Sequence, residues 1–302
     1  MTQSLNSSLF IGGSASLVAV ATLVISLQIT QYCRNLMYPY AQKPCIALFA
    51  VPALVGWASW VNLFSSSLRL VAFCVNLCKA AGVLVFFQYI EALLGYTPNA
   101  DGSFYSAARA DEVVLAMGHA HCYLRCTRGT PLTTLTDVQQ FRRRTALFIL
   151  QYPAVMVFLS GLVTVVRQAS TDTDFAETFT LGATAVQALS TSVALNFLIN
   201  YAVFTSRIPE VKKFKILHKF ILVKVSMLFT EFQPLAISAL AWLAEAEEAE
   251  QLAAQLNSVL VCCEMILVGC LQYKIFPVTD YMLDLKQTEL VSTANLLPSR
   301  YS

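Results

Sequence analysis

Seven long apolar stretches, parted by short polar connections and one longer one, make up most of this chain. They run roughly Leu9–Tyr32, Pro44–Phe64, Leu68–Gly95, Thr145–Val166, Thr178–Phe204, Phe220–Leu243 and Leu252–Phe276. Each is about 20 residues or more, and about 20 helical residues at 1.5 Å rise cross a ~30 Å hydrocarbon layer. Lipid offers backbone N–H and C=O groups no partner, so a spanning segment must be a helix or part of a closed barrel. The shorter alternating segments of a barrel do not occur here. The pattern predicts an all-α fold, a polytopic membrane protein built as a seven-transmembrane helix bundle. A single domain covers residues 1–302, with one sizeable loop at 96–144 and a tail at 277–302. The first run is too long for a cleaved signal peptide, and no Lys or Arg precedes it.

Composition agrees with that solvent. Charged residues make up 13% and apolar ones 57%, with a mean hydropathy of +0.61, whereas soluble domains carry about a quarter charged residues. The placement of charge adds a direction. Of the 20 Lys and Arg, sixteen fall on one side of the predicted bundle, only Arg69 and Arg167 on the other, and Lys79 and Lys224 inside spans. Lys and Arg accumulate in cytosolic loops. The expected layout therefore has the N-terminus outside or lumenal and the C-terminus cytosolic, in the plasma membrane or an endomembrane such as the endosomal or vacuolar one. Clusters such as Arg142–Arg144 and Lys212–Lys219 either serve topology alone or also attract anionic lipid, at about 1 kcal/mol per residue. No basic domain stands outside the bilayer, so nucleic acid is not an expected partner; membrane lipids are.

Nine cysteines, an odd number, argue against a disulfide framework. Cys74, Cys78, Cys262, Cys263 and Cys270 lie within spans, where Cys packs as a small apolar residue. The long loop holds the breakers Pro98, Gly102, Gly129 and Pro131. Between them Ala107 to Leu124 reads as a helix with one apolar side, suited to lying on the membrane surface. It ends in His119, His121, Cys122 and Cys126, which could serve as zinc ligands, although their spacing matches no standard knuckle pair. Palmitoylation of Cys122 and Cys126, juxtamembrane thiols beside Arg125 and Arg128, and plain unmodified cysteines are the other readings. No metal site and no cofactor are expected.

Ionisable groups inside spans cost a few kcal/mol each on insertion scales and default to functional candidates. Five stand out: Lys79 and Glu91 in the third span, Lys224 and Glu231 in the sixth, Glu264 in the seventh. Counting rise per residue puts Glu231 and Glu264 near mid-membrane. Lys224 and Glu91 both fall roughly 10–13 Å toward the cytosol. Matching depth predicts a Lys224–Glu91 pair. Gln233 and Asn200, with Asn62, Asn76, Gln88 and Asn196, extend a polar seam at similar depths. The seam is either a solute cavity or polar glue between helices. Pro52, Pro153 and Pro234 would kink their spans and free carbonyls near the middle.

Several short runs occur in an order that resembles a known family. Ala194-Leu195 and Tyr201 close the fifth span, followed by Pro209, Lys213-Phe214, Lys219-Phe220, Lys224 and Phe232-Gln233. The seventh span carries Cys263-Glu264-Met265, then Tyr273 and Pro277. Tyr38-Pro39, Gln42, Val51-Pro52, Ser59-Trp60 and Leu63-Phe64 lead the second, and Glu91-Ala92-Leu93-Leu94-Gly95-Tyr96 ends the third. Together they resemble the organic solute transporter alpha subunit and transmembrane protein 184 family, over nearly the whole chain and in its seven-span layout. Cys122 and Cys126 stand where the transporter subunit has a cysteine-rich motif.

The resemblance implies facilitated or gradient-driven movement of amphipathic organic solutes such as steroid- or bile-acid-like anions, with a small single-span beta-type subunit as partner; a homo-oligomer is the other expected assembly. Lys224 or Lys79 would attract the anionic head, Glu231 and Glu264 would offset those cations when no solute is present, and no nucleotide-binding loop appears. The alternative is a non-transporting seven-helix receptor-like or trafficking scaffold. The third span lacks an acidic-Arg-Tyr ending and the seventh lacks Asn-Pro-x-x-Tyr, which argues against a rhodopsin-like receptor. An enzyme is not expected: the three histidines, His119, His121 and His218, lie outside the spans, and no Ser or Cys nucleophile there has a visible base.

Overall fold

Helix ends leave backbone groups unpaired, and at three helix starts in this fold side chains satisfy them. Thr134 and Asp137 form a capping box: Thr134 Oγ1 accepts from the Asp137 N–H, while Asp137 Oδ2 accepts from the Thr134 N–H at 3.0 Å. Asp172 Oδ1 accepts from the N–H groups of Asp174 and Phe175 at 3.0 and 3.1 Å. Ser106 Oγ accepts from the Arg109 N–H at 3.3 Å. Helices follow each of these caps.

The computed structural model describes residues 2–36, 39–64, 69–95, 106–117, 119–120, 130–170, 172–225, 233, 236–237 and 249–281. Its helices are α1 (Thr2–Arg34), α2 (Pro39–Phe64), α3 (Arg69–Leu94), α4 (Ala107–Ala116), α5 (Leu135–Ala169), α6 (Thr173–Ser206) and the short α7 (Pro209–Lys212). Helix α8 covers 216–225, with 233, 236 and 237 helical further along, and α9 is Ala249–Ile275. Lys215, with φ +48°, makes the left-handed step from α7 into α8. Two-residue strands β1 (His119–Ala120) and β2 (Thr130–Pro131) pair antiparallel, His119 opposite Pro131.

Among the described residues, six helices are long and apolar enough to cross a membrane: α1, α2, α3, α5, α6 and α9. Most of the sixth predicted span, 220–243, lies outside the described residues. Large apolar side chains are left uncovered along these helices, Leu181 at 73%, Phe158 at 68% and Leu189 at 67% exposure. A water-soluble surface does not carry such patches. The chain is an integral multi-pass membrane protein.

Contacts fix the alternation of direction. Tyr32 OH at the end of α1 donates to the Phe276 carbonyl at the end of α9, 2.9 Å. Cys45 Sγ, near the start of α2, lies 3.4 Å from Tyr281 OH. Lys219 in α8 meets Tyr89 near the end of α3, and Arg142 near the start of α5 meets Glu91 of α3. All of these meet at one end of the bundle, here termed the basic end. At the other end the Trp60 indole N–H donates to the Ile11 carbonyl at 3.4 Å, and Arg167 Nε donates to Thr180 Oγ1 at 2.9 Å. Helices α1, α2 and α9 pack on one another, and α3 joins them through α2 to α5 and α6. The main core lies toward the basic end, around the fully buried Tyr32, Tyr89, Tyr201, Tyr281, Phe49, Phe86 and Phe276.

Helices and predictions differ most at two places. Helix α5 starts well before the predicted Thr145, because a capped helix continues past the apolar window that defines a span. The loop helix stops at Ala116 rather than Leu124, just before Gly118. Its apolar side does not meet lipid: Ala110, Val113 and Val114 are buried in the protein core, and α4 packs on α3 and α5.

Candidate functional site

The predicted mid-membrane polar groups separate into distinct contacts. Gln233, with its amide nitrogen toward the acid, donates to the Glu264 carboxylate, 3.0 Å from Oε2. This joins the sixth predicted span to α9. Lys79 on α3 and Lys224 on α8 are half-buried. Asn200 Nδ2 lies 3.4 Å from Asn196 Oδ1, one turn back on α6. Ser160 of α5 accepts from Asn76 of α3 at 3.4 Å and from Gln187 of α6 at 3.0 Å. Glu231, Cys122 and Cys126 lie outside the described residues. Among the described residues no group of three or more His, Cys, Asp or Glu side chains is placed to hold a metal.

Glu91 does not pair with Lys224. Its carboxylate takes the Arg142 guanidinium on Oε2 and the Tyr201 hydroxyl on Oε1. The second Nη of Arg142 bonds Asp111 Oδ1, and Gln139 Nε2 donates to Asp111 Oδ2 at 3.2 Å. One guanidinium thus links α3, α4 and α5, with α6 added through Tyr201. The expected pair fails because equal depth does not fix azimuth: Glu91 faces α5 and α6, whereas α8 meets α3 through Lys219 and Phe220. Side-chain exposures are 14% for Arg142, 19% for Glu91 and 12% for Asp111, so the two acids share one cation in a half-dry setting. Beside them a cleft of about 290 Å³ opens between α3, α4 and α5, with Phe87 and Ala146 as apolar walls and Arg143 at its rim.

A second cluster surrounds Lys219. Its ammonium is fully buried, donates to Asp280 Oδ2 at 2.8 Å and to Tyr89 OH at 3.1 Å, and lies 5.0 Å from the Phe276 ring centre. Tyr281, whose hydroxyl is 3.4 Å from that of Tyr89, packs edge-on to Tyr32. A buried cation survives when it is paired and hydrogen-bonded, and aromatic faces add attraction. Neither cluster was anticipated from sequence, where Arg142 and Lys219 count among the basic loop residues. The available signals were the aromatic neighbours Phe214 and Phe220 of Lys219, and Asp111, an acid on the otherwise apolar side of the loop helix.

No curated protein and no solved structure matches this chain. A sequence model of the family described as organic solute transporter Ostalpha matches residues 9–281. That span takes in the apolar stretches of the six helices long enough to cross a membrane among the described residues, the Gln233–Glu264 contact and both basic-end clusters, and on it the chain belongs to the organic solute transporter Ostalpha family.

Proposed function

We propose that the chain is a transporter, or the alpha-type subunit of one, that moves amphipathic organic solutes such as steroid- or bile-acid-like anions down their gradients. The family match over residues 9–281 carries this reading. Polar and charged groups within the helices support it, since they are costly in hydrocarbon and mark solute paths. On this reading Lys224 and Lys79 draw the anionic head into the seam. Glu231 and Glu264, the latter bonded to Gln233, offset those cations at mid-membrane when no solute is present, and Asn200, beside Tyr201, lines the path nearer the basic end. Glu91 belongs to the basic-end cluster, where it is already engaged. The N-terminus lies outside and the basic end is cytosolic. The predicted span 220–243, which begins in α8, makes a seventh crossing. Cys122 and Cys126 carry reversible acyl chains, to be detected by hydroxylamine-sensitive labelling that a Cys122→Ser, Cys126→Ser variant loses.

The test is uptake of a labelled steroid sulfate or bile acid by proteoliposomes holding the purified chain, with and without a small single-span partner. Saturable uptake is expected in the parent. It falls at least about tenfold in Lys224→Ala, the loss expected when a charge-assisted contact worth about 1.5–3 kcal/mol is removed. A drop of the same order is expected in Glu264→Gln if the carboxylate charge is used. Absence of uptake in both arms would assign the chain to the scaffold class, and the mid-membrane contacts to helix association.

A further inference from the structure

Among the described residues, helix α4 is held to the bundle by few ties. Three small apolar residues, Ala110, Val113 and Val114, are buried beneath it, and Leu115 and Met117 pack half-buried against the same core. One backbone bond, Ser106 N–H to the Gly95 carbonyl at 2.7 Å, ties its start to the end of α3. Among the described residues, Asp111 ties it by charge to the spanning helices, through Arg142, with the Gln139 bond at its side. The rest of the Arg142 cluster joins spanning helices only: Glu91 on α3, Arg142 on α5 and Tyr201 on α6.

We propose that α4 is a lid on the basic end, pinned through Asp111–Arg142, and that its release widens the cleft between α3 and α5. Two features make Asp111 the contact that gives. When it leaves, the guanidinium keeps Glu91, and Glu91 keeps Tyr201, so no buried charge is stranded among the spanning helices. Asp111 itself moves into water, where a carboxylate needs no partner. The closed cluster also holds two carboxylates against one guanidinium. Arg143 lines the cleft but forms no ion pair with either acid among the described residues. Moving one acid to solvent relieves that excess, which lowers the cost of opening relative to an even pair. The spanning half keeps its geometry while the lid exchanges positions. The consequence for solute movement rests on the transport reading above; the motion itself does not.

Hydrogen exchange of the full chain in lipid nanodiscs tests the motion. Amides of α4 should exchange faster than those of α3 and α5 beside it. Asp111→Asn should speed α4 exchange by at least about tenfold, the loss expected for a charge-assisted bond, with α3, α5 and α6 unchanged. Gln139→Lys supplies Asp111 with a second cation and should slow α4 exchange. Steroid sulfate uptake should hold or rise in the first variant and fall in the second. The lid is overturned if Asp111→Asn leaves α4 exchange unchanged, or if α3 and α5 speed up with it. Its gating role is overturned if Gln139→Lys slows α4 exchange and uptake does not change. An α4 response in a parent without uptake would leave the lid standing and remove the transport reading.

Discussion

Lys219 shows how much rests on single side chains at the basic end. Its ammonium is fully buried, and it meets Asp280 from the segment after α9, Tyr89 from α3 and the Phe276 ring. Breaking a buried pair by removing one partner costs about 3–5 kcal/mol, because the other charge is left without compensation. Lys219→Met should therefore lower the unfolding midpoint in detergent strongly. Lys219→Met combined with Asp280→Asn should recover part of the loss, since no lone carboxylate then remains. Equal midpoints for the single and double variants would show that lost packing, not the stranded acid, sets the cost. In sequence, Lys219 and Arg142 are two of sixteen basic residues whose shared position makes the orientation argument. That argument needs only where a cation sits along the chain, and so it is silent on which way the side chain turns. Position along a helix axis is legible in a single sequence; azimuth around a helix is not, and the expected Lys224–Glu91 pair failed for that reason. The Gln233–Glu264 contact, placed by depth on two different spans, is one that depth reasoning allowed.

At the scale of elements, one of the prolines expected to free carbonyls can be followed to a partner. Pro52 lacks the N–H that would bond the Leu48 carbonyl one turn earlier in α2. Gln272 of α9 supplies it: its Nε2 lies 3.4 Å from Leu48 O, and the residue is buried. Helices α1 and α9 run side by side in constant register, Ile25 against Gly269 and Tyr32 against Phe276, an offset of 244 residues. The same offset sets Gln28 level with Gln272, and the Gln28 amide is buried without a hydrogen-bond partner among the described residues. This level is thus a polar layer across α1, α2 and α9. Gln272→Leu should cost about 1–3 kcal/mol, the desolvation of an unmet buried carbonyl. A Pro52→Ala background restores the backbone N–H at that position, which can then reach Leu48 O, and the cost of Gln272→Leu should shrink. A thermal double-mutant cycle reads that coupling, and additive costs would show that Gln272 serves something other than the proline gap. The spans that give rise to these helices are plain in the apolar pattern. Their ends are less so, because caps such as Thr134 with Asp137 extend a helix beyond the hydrocarbon that the pattern measures.

For the whole molecule, two clusters close the basic end in different ways. The Lys219 cage gathers α1, α2, α3, α8 and the segment after α9 around a dry aromatic core, with one cation to one acid. The Arg142 cluster joins α3, α5 and α6 and leaves α4 as the removable piece. Motion at that end should therefore be uneven, with the α3–α4–α5 side opening and the α1–α2–α9 side staying fixed. The opposite end holds only isolated contacts among the described residues, such as Trp60 to Ile11 and Arg167 to Thr180. Which end faces the cytosol decides what the lid would gate, and the proposed orientation can be checked directly. An epitope inserted after Ser170, between α5 and α6, should stain on intact cells if α5 runs outward. One inserted at Lys213, between α7 and α8, should stain only after permeabilisation. The reverse pattern would place α4 outside, where its release would admit solute from that face and the asymmetry of Lys and Arg would need another cause. Staining of both sites on intact cells would contradict the antiparallel path of α5 and α6, which Phe148 stacked on Phe197 and Ser160 bonded to Gln187 fix at two levels.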